Sequence, residues 1–140
     1  MWTWNDSISL IKKHEGFRDH LYLDTQKVLT GGWGHAFTVG SFIPTDIAEK
    51  FFLYDFNQAN IDYKTLNLKT VDPVRKAVVL DMLFNLGLGR FLKFKKLITA
   101  LNNEDYILAS KEMIDSKWAL QVGCRADELS CMMERGNRGC

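Results

Sequence analysis

The chain has 140 residues, 46% of them apolar and 25% charged, with a net charge of +1. That is one domain's length, enough to bury roughly 70% of the unfolded chain's surface without staples, and the near-zero charge excludes a general attraction to nucleic acid or to a membrane. No run approaches about 18 apolar residues, and "MWTWNDSISLIKKHEG" lacks a basic stretch followed by an apolar one, so neither a membrane-inserted helix nor a signal peptide is expected.

Charge is unevenly spread: −3 over residues 1–63, +6 over 64–99 and −2 over 100–140. The basic block is either a solvated helix face or a surface for an acidic polymer. The three cysteines, Cys124, Cys131 and Cys140, are odd in number and crowded into the last 17 residues. This is no disulfide framework, and with no histidine nearby it is no zinc site; reduced thiols are the expectation.

In chain order, Asn5 or Asp6 can cap a first helix whose apolar side carries Ile8, Leu10 and Ile11 and which Gly16 stops. "HLYLDTQKVLTGGWGHAFTVGSFI" follows, rich in β-branched and aromatic residues and broken by glycine. It predicts a small antiparallel sheet of two or three short strands. Pro44-Thr45-Asp46 opens a second helix, with Asp46 and Glu49 at capping-box spacing, running to about Tyr63. Asp72 and Pro73 are good N-cap and first-turn residues for a third. Its apolar positions Val74, Ala77, Val78, Leu80, Met82 and Leu83 cover most of the circumference, which makes it the central buried helix, ended by Gly87. Shorter helices are expected over about 91–101, 105–115 and 124–135, before a frayed tail "ERGNRGC". Helix, small sheet, then all helix is an α+β order, mostly α, in a single domain.

The chemistry is concentrated in "KHEGFRDHLYLDTQKVLTGGWGH", Lys13 to His35. A hairpin centred on Lys27 sets Asp24 opposite Thr30, Leu23 opposite Gly31 and Tyr22 opposite Gly32, and opposed side chains share a face. Glu15 ends the preceding helix one short turn away. A carboxylate pair beside a hydroxyl suits glycoside hydrolysis: one carboxylic acid protonates the leaving oxygen, and the second attacks the sugar or activates a water. Glu15 is the better acid. The negative end of a helix, with Phe17 and Trp33 excluding water, raises a carboxyl pKa. Asp24, in a hydrophilic turn, stays ionised, and Thr30 holds the attacking water. By spacing alone, an ordinary helix end and an ordinary turn remain open. Of the four tryptophans (Trp2, Trp4, Trp33 and Trp118), Trp33 is the best placed to stack on a sugar, whereas Trp118 reads as core. His35 reads as a structural histidine tying the sheet to a neighbour.

The same stretch resembles the phage-type lysozyme family. Glu15 on the first helix, Asp24 nine residues later and Thr30 six beyond, leading into "TGGWGH" with Gly32, Gly34 and His35, match that family's signature. "VRKAVVLDMLFNLG" is similar to the family's central helix, with Phe84, Asn85 and Gly87 at its cleft-bordering end. "KWALQVGCRADEL" is similar to its late segment, with Trp118, Gln121 and Arg125. The likeness runs from residue 8 to about 133. It implies one lysozyme-like domain over 1–140, with a sheet lobe over about 15–60 that holds the active site and a helical lobe over about 64–135.

The implied activity is an endolysin: a muramidase cutting the β-1,4 bond between N-acetylmuramic acid and N-acetylglucosamine of bacterial peptidoglycan, with inversion. Glu15 is then the acid, Asp24 the base or electrostatic stabiliser, and Thr30 positions water. Trp33, Phe84 and Asn85 meet substrate, and His35 and Arg125 support. No cofactor or metal is implied, nor nucleic acid, membrane insertion or a stable oligomer. The place of synthesis is the host cytoplasm, with release to the periplasm at lysis. The competing readings are a lytic transglycosylase and a non-catalytic peptidoglycan-binding phage protein. Three features stand apart. Gly31 occupies a place where an apolar residue is common, Ala36–Ile43 is short, and an arginine beside Glu15 opposes the acid role.

Overall fold

The computed structural model describes Met1, residues 3–69 and residues 71–140; Trp2 lies outside the described residues. Two compact units divide the chain, Met1–Thr45 and Asp46–Cys140. The α+β, mostly helical expectation holds, with a small sheet in the first unit and helices filling the second.

In the first unit, α1 (Trp4–Glu15) begins two residues earlier than an Asn5 cap, and three earlier than an Asp6 cap, would place it. Thr3 is the N-cap, and Asp6 is its reciprocal partner three positions on. The Thr3 hydroxyl accepts from the Asp6 N–H at 3.2 Å while the Asp6 carboxylate accepts from the Thr3 N–H at 2.7 Å, satisfying two orphan donors together. Gly16, at φ +68°, ends the helix with its N–H on the Lys12 carbonyl. Strands β1 (Arg18–Leu23), β2 (Leu29–Gly32) and β3 (His35–Ala36) then form an antiparallel sheet in sequence order.

The hairpin register differs from a turn centred on Lys27. Tyr22 pairs with Thr30 and Leu23 with Leu29, so the turn centres on Gln26. The Asp24 side chain is the reason. Its Oδ1 accepts from the backbone N–H groups of Gln26 and Val28, each at 2.8 Å, while Lys27 takes φ +61° and its N–H reaches the Asp24 carbonyl. An aspartate that binds the backbone ahead of it closes the loop sooner than residue pairing alone suggests. A slip of two residues keeps the strand side chains on their faces, while Asp24 stands one residue past β1 and belongs to the turn.

In the second unit, α2 (running from Thr45, at the boundary, to Thr65) buries only Ala59. Asp72 caps α3 (Pro73–Leu86) as expected, accepting from the Val74 and Arg75 N–H groups. α3 is buried at Val78, Val79, Met82 and Leu83 and ends at Gly87. Beyond it the chain is more broken than the helix over 91–101 anticipates. α4 (Leu88–Phe91) is one turn, and α5 starts at Lys95 and ends at Asn102. α6 (Tyr106–Ile114), α7 (Lys117–Val122) and α8 (Cys124–Arg135) follow. α7 is an additional helix, started by a Ser116 cap on the Ala119 N–H. Phe91, Leu97, Leu101, Met113, Trp118 and Met133 pack around α3 to complete the core.

The tail is not frayed. Gly136 turns the chain at the end of α8 in the left-handed conformation, and Asn137 caps the Gly139 N–H. Cys140 thereby returns to Cys131, and the two form a disulfide at a Cα separation of 5.9 Å. Two of the three thiols expected to be reduced are thus paired, and only Cys124 is free. Arg75 holds the same corner. Its guanidinium donates to the carbonyls of Met133 at 2.6 Å and Glu134 at 2.8 Å, bonds Asp72 at 2.9 Å, and lies 3.6 Å from the Tyr106 ring centroid. A Cβ at Gly136 would meet Arg75 Nη1 at 2.8 Å.

Burial works to raise the Asp72 carboxyl, but hydrogen bonds from Arg75 and its positive charge outweigh it and hold the group below its ordinary 3.8. A lowered folded pKa contributes stability above the unfolded value that is lost as pH falls through the folded one. Asp72→Asn should therefore cost about 1 kcal/mol at neutral pH. Urea unfolding should show that deficit shrinking in acid below pH 3.8, and a deficit constant with pH would remove the charge from the account. Cys140→Ser should cost at most about 2–3 kcal/mol, the loop-closure value for so short a ring, and should open residues 136–140 to limited proteolysis.

Candidate active site

Glu15, Asp24, Thr30, Trp33 and His35 all belong to the first unit. α1 delivers Glu15 as its last residue, and the turn between β2 and β3 brings Gly34 against it. A Cβ built on Gly34 would stand 2.9 Å from Glu15 Cδ and closer still to Oε2. Gly34 has φ +75°, so both the conformation and the contact exclude a side chain. Trp33 fastens the same turn to α1, with its ring 4.7 Å from that of Phe17 and the Lys12 ammonium 4.2 Å from its centroid. The hairpin end is thus held on the helix end, and the carboxylate of Glu15 lies across the join.

The aromatic screen does not close over that carboxylate. Phe17 and Trp33 pack on each other, are 60% and 48% exposed, and leave Glu15 open to solvent. Trp33 has its ring partly committed to Lys12 and Phe17. The His35 ring meets the Phe37 edge at 4.8 Å, which fits a structural role within the sheet unit.

Asp24 is half-buried and carries two duties on one carboxylate. Oδ1 is used by the turn, and among the described residues Oδ2 has no hydrogen-bond partner. Thr30 is 5% exposed, and its hydroxyl donates to the Val28 carbonyl at 2.9 Å. With that proton committed, the Thr30 oxygen is left as an acceptor, the role needed to hold a water by its O–H.

Gly31 is accounted for by packing. β1 is irregular between Arg18 and Tyr22, and there the Leu21 side chain crosses Gly31, where a Cβ would meet Leu21 Cδ2 at 2.8 Å and Phe37 Cε2 at 3.5 Å. Apolar side chains from the neighbouring strands cover the place of the one Gly31 lacks.

Phe84, Asn85 and Arg125 belong to the second unit. Phe84, 40% exposed, lies 5.5 Å from Phe52. Asn85 is tied to the core, its Oδ1 accepting from the Trp118 indole N–H at 2.9 Å. Arg125 donates from Nε to Asp81 Oδ1 at 2.7 Å, with Nη2 at 2.6 Å from the same oxygen. Phe52, Phe56, Phe84, Asp81 and Arg125 line one groove of about 370 Å³. Asp81 was not among the sequence candidates. Its signal is a lone carboxylate inside the apolar run "AVVLDMLF", where an unpartnered charge is costly. Among the described residues no cluster of His, Cys, Asp and Glu could hold a metal.

Two substitutions separate geometry from charge. Gly34→Ala should displace the Glu15 carboxylate and destabilise the protein by about 1–2 kcal/mol, readable as a lower melting temperature and a shifted Glu15 carboxyl carbon resonance. Asp24→Asn keeps the Oδ1 acceptor and should unfold within about 0.5 kcal/mol of the parent, whereas Asp24→Ala loses both turn bonds and should cost about 1–2 kcal/mol. Equal losses in the two variants would show that the turn depends on charge.

A family model described as "Phage lysozyme" matches residues 12–138. "Probable T4-type lysozyme 1" of Dictyostelium discoideum is 25% identical, over 91% of this chain and 92% of that protein.

Proposed function

We propose, for a chain that belongs to the phage lysozyme family, that it is an endolysin: a muramidase that hydrolyses the β-1,4 bond between N-acetylmuramic acid and N-acetylglucosamine in bacterial peptidoglycan. The observation that carries this reading is the Glu15 carboxylate lying on Gly34, in the same unit as the hairpin that carries Asp24 and Thr30. Two carboxylates in unlike surroundings divide the work. Glu15 gives its proton to the glycosidic oxygen as the bond breaks. Asp24, with Oδ2 free of the turn, takes a proton from the attacking water or steadies the positive charge on the sugar. Thr30 accepts a hydrogen bond from that water and aims it at the anomeric carbon. Attack from the face opposite the leaving group inverts the anomeric configuration.

Glu15 is exposed in the free protein. Sugar covering the site expels water around the carboxyl and favours the neutral acid at the moment it is needed. The Cys131–Cys140 disulfide suits a working place in an oxidising compartment, consistent with synthesis in the host cytoplasm and release to the periplasm for host lysis.

Glu15→Gln keeps the size and the contact with Gly34 but cannot donate the proton. It should lower wall hydrolysis by about 10²–10⁴-fold with an unchanged melting temperature; full activity would remove Glu15 as the acid. Asp24→Asn, which spares the turn, should lose activity without losing stability. Mass spectrometry of the released muropeptides should show reducing muramic ends, and anhydro-muramic ends would make the enzyme a lytic transglycosylase.

A further inference from the structure

Part of the basic block converges on a groove of about 730 Å³ in the second unit. Arg90, Lys93, Lys95 and Lys96 line it, joined by Lys117 from outside the block. Among the described residues no carboxylate lies within 4 Å of any of these five, although Glu112 and Asp115 also line the groove. Other cations of the block are spent internally: Arg75 on the tail corner and Lys76 over the Tyr63 ring at 5.1 Å. Lys95 and Lys96 fill the first turn of α5, where the helix dipole disfavours positive charge and no side chain caps the N–H groups. Five cations against two carboxylates leave this groove with a net positive charge among the described residues.

The apolar residues around it narrow the choice of partner. Lys117, Leu120 and Gln121 fall on one face of α7 by their spacing, and Lys117 and Gln121 line the groove. Leu120 on that face is 87% exposed, and Leu92, between Arg90 and Lys93 in sequence, is 46% exposed. Cations set among protruding leucines match a layer with anionic headgroups outside and hydrocarbon beneath; a purely aqueous polyanion would have no use for the leucines. We propose that this face docks peripherally on the anionic surface of a phospholipid membrane. No helix among the described residues is long and apolar enough to cross a membrane, so the attachment is superficial and reversible.

Flotation of the whole protein with vesicles tests this. Binding should be strong to equimolar phosphatidylcholine and phosphatidylglycerol, weak to phosphatidylcholine alone, and should fall as ionic strength rises. Replacing Lys93, Lys95 and Lys96 together by Gln should weaken binding about a hundredfold, at about fivefold per charge. Leu120→Ser should weaken vesicle binding roughly tenfold and leave binding to soluble heparin unchanged. Circular dichroism checks the fold, and if the triple variant does not fold, Lys96→Gln alone with the salt series carries the charge test. Equal binding to both vesicle types, or to neither, overturns the proposal. So does an unchanged Leu120→Ser, which would point to a soluble polyanion. Loss of binding to purified wall by the triple variant, with vesicle binding intact, would assign the groove to the wall and equally overturn it.

Discussion

The contact between the Glu15 carboxylate and the backbone of Gly34 is the constraint on which the smaller unit depends. It joins the last residue of a helix to the tip of a sheet, and it requires that the residue at the tip have no side chain. The neighbouring features serve that closeness. Gly16 stops α1 at the residue that carries the carboxylate. Trp33, held between Lys12 and Phe17, keeps the turn on the helix. Leu21 crosses Gly31 and takes the space that a side chain there would need. A side chain at Gly34 would move the acid itself rather than merely loosen the fold.

Asp24 shows how a single residue serves structure and chemistry without conflict. One carboxylate oxygen organises the loop by accepting two backbone N–H groups, and the other is left for a ligand. The turn fixes where the charge is held, and that fixed place is what a proton-transfer or electrostatic role requires. Asp81 and Arg125 repeat the device in the larger unit, each locating the other on the wall of an aromatic groove.

Local chemistry was legible in the sequence and long-range partnership was not. Asp72 followed by Pro73 declared the start of the central helix, and Gly87 its end, because caps depend on neighbours three or four positions away. The Glu15, Asp24 and Thr30 spacing was recognisable for the same reason. The hairpin was misplaced by two residues because pairing was counted without the Asp24 side chain taking part in the turn. An odd set of cysteines gave no sign that Gly136 would fold the tail back onto α8. Asp81 and Arg125 are 44 positions apart, and periodicity within either helix says nothing about the other.

Arg75 imposes an order of events on the larger unit. It stands in the first turn of α3, yet the carbonyls it binds belong to Met133 and Glu134, 58 and 59 positions later. During synthesis the arginine emerges long before its acceptors, and until they arrive its charge has only Asp72 and Tyr106 to lean on. The ribosome must pass Glu134 before this corner can lock. A product stopped short of that residue therefore lacks a closure that a longer one gains, and the two are distinguished by shape alone.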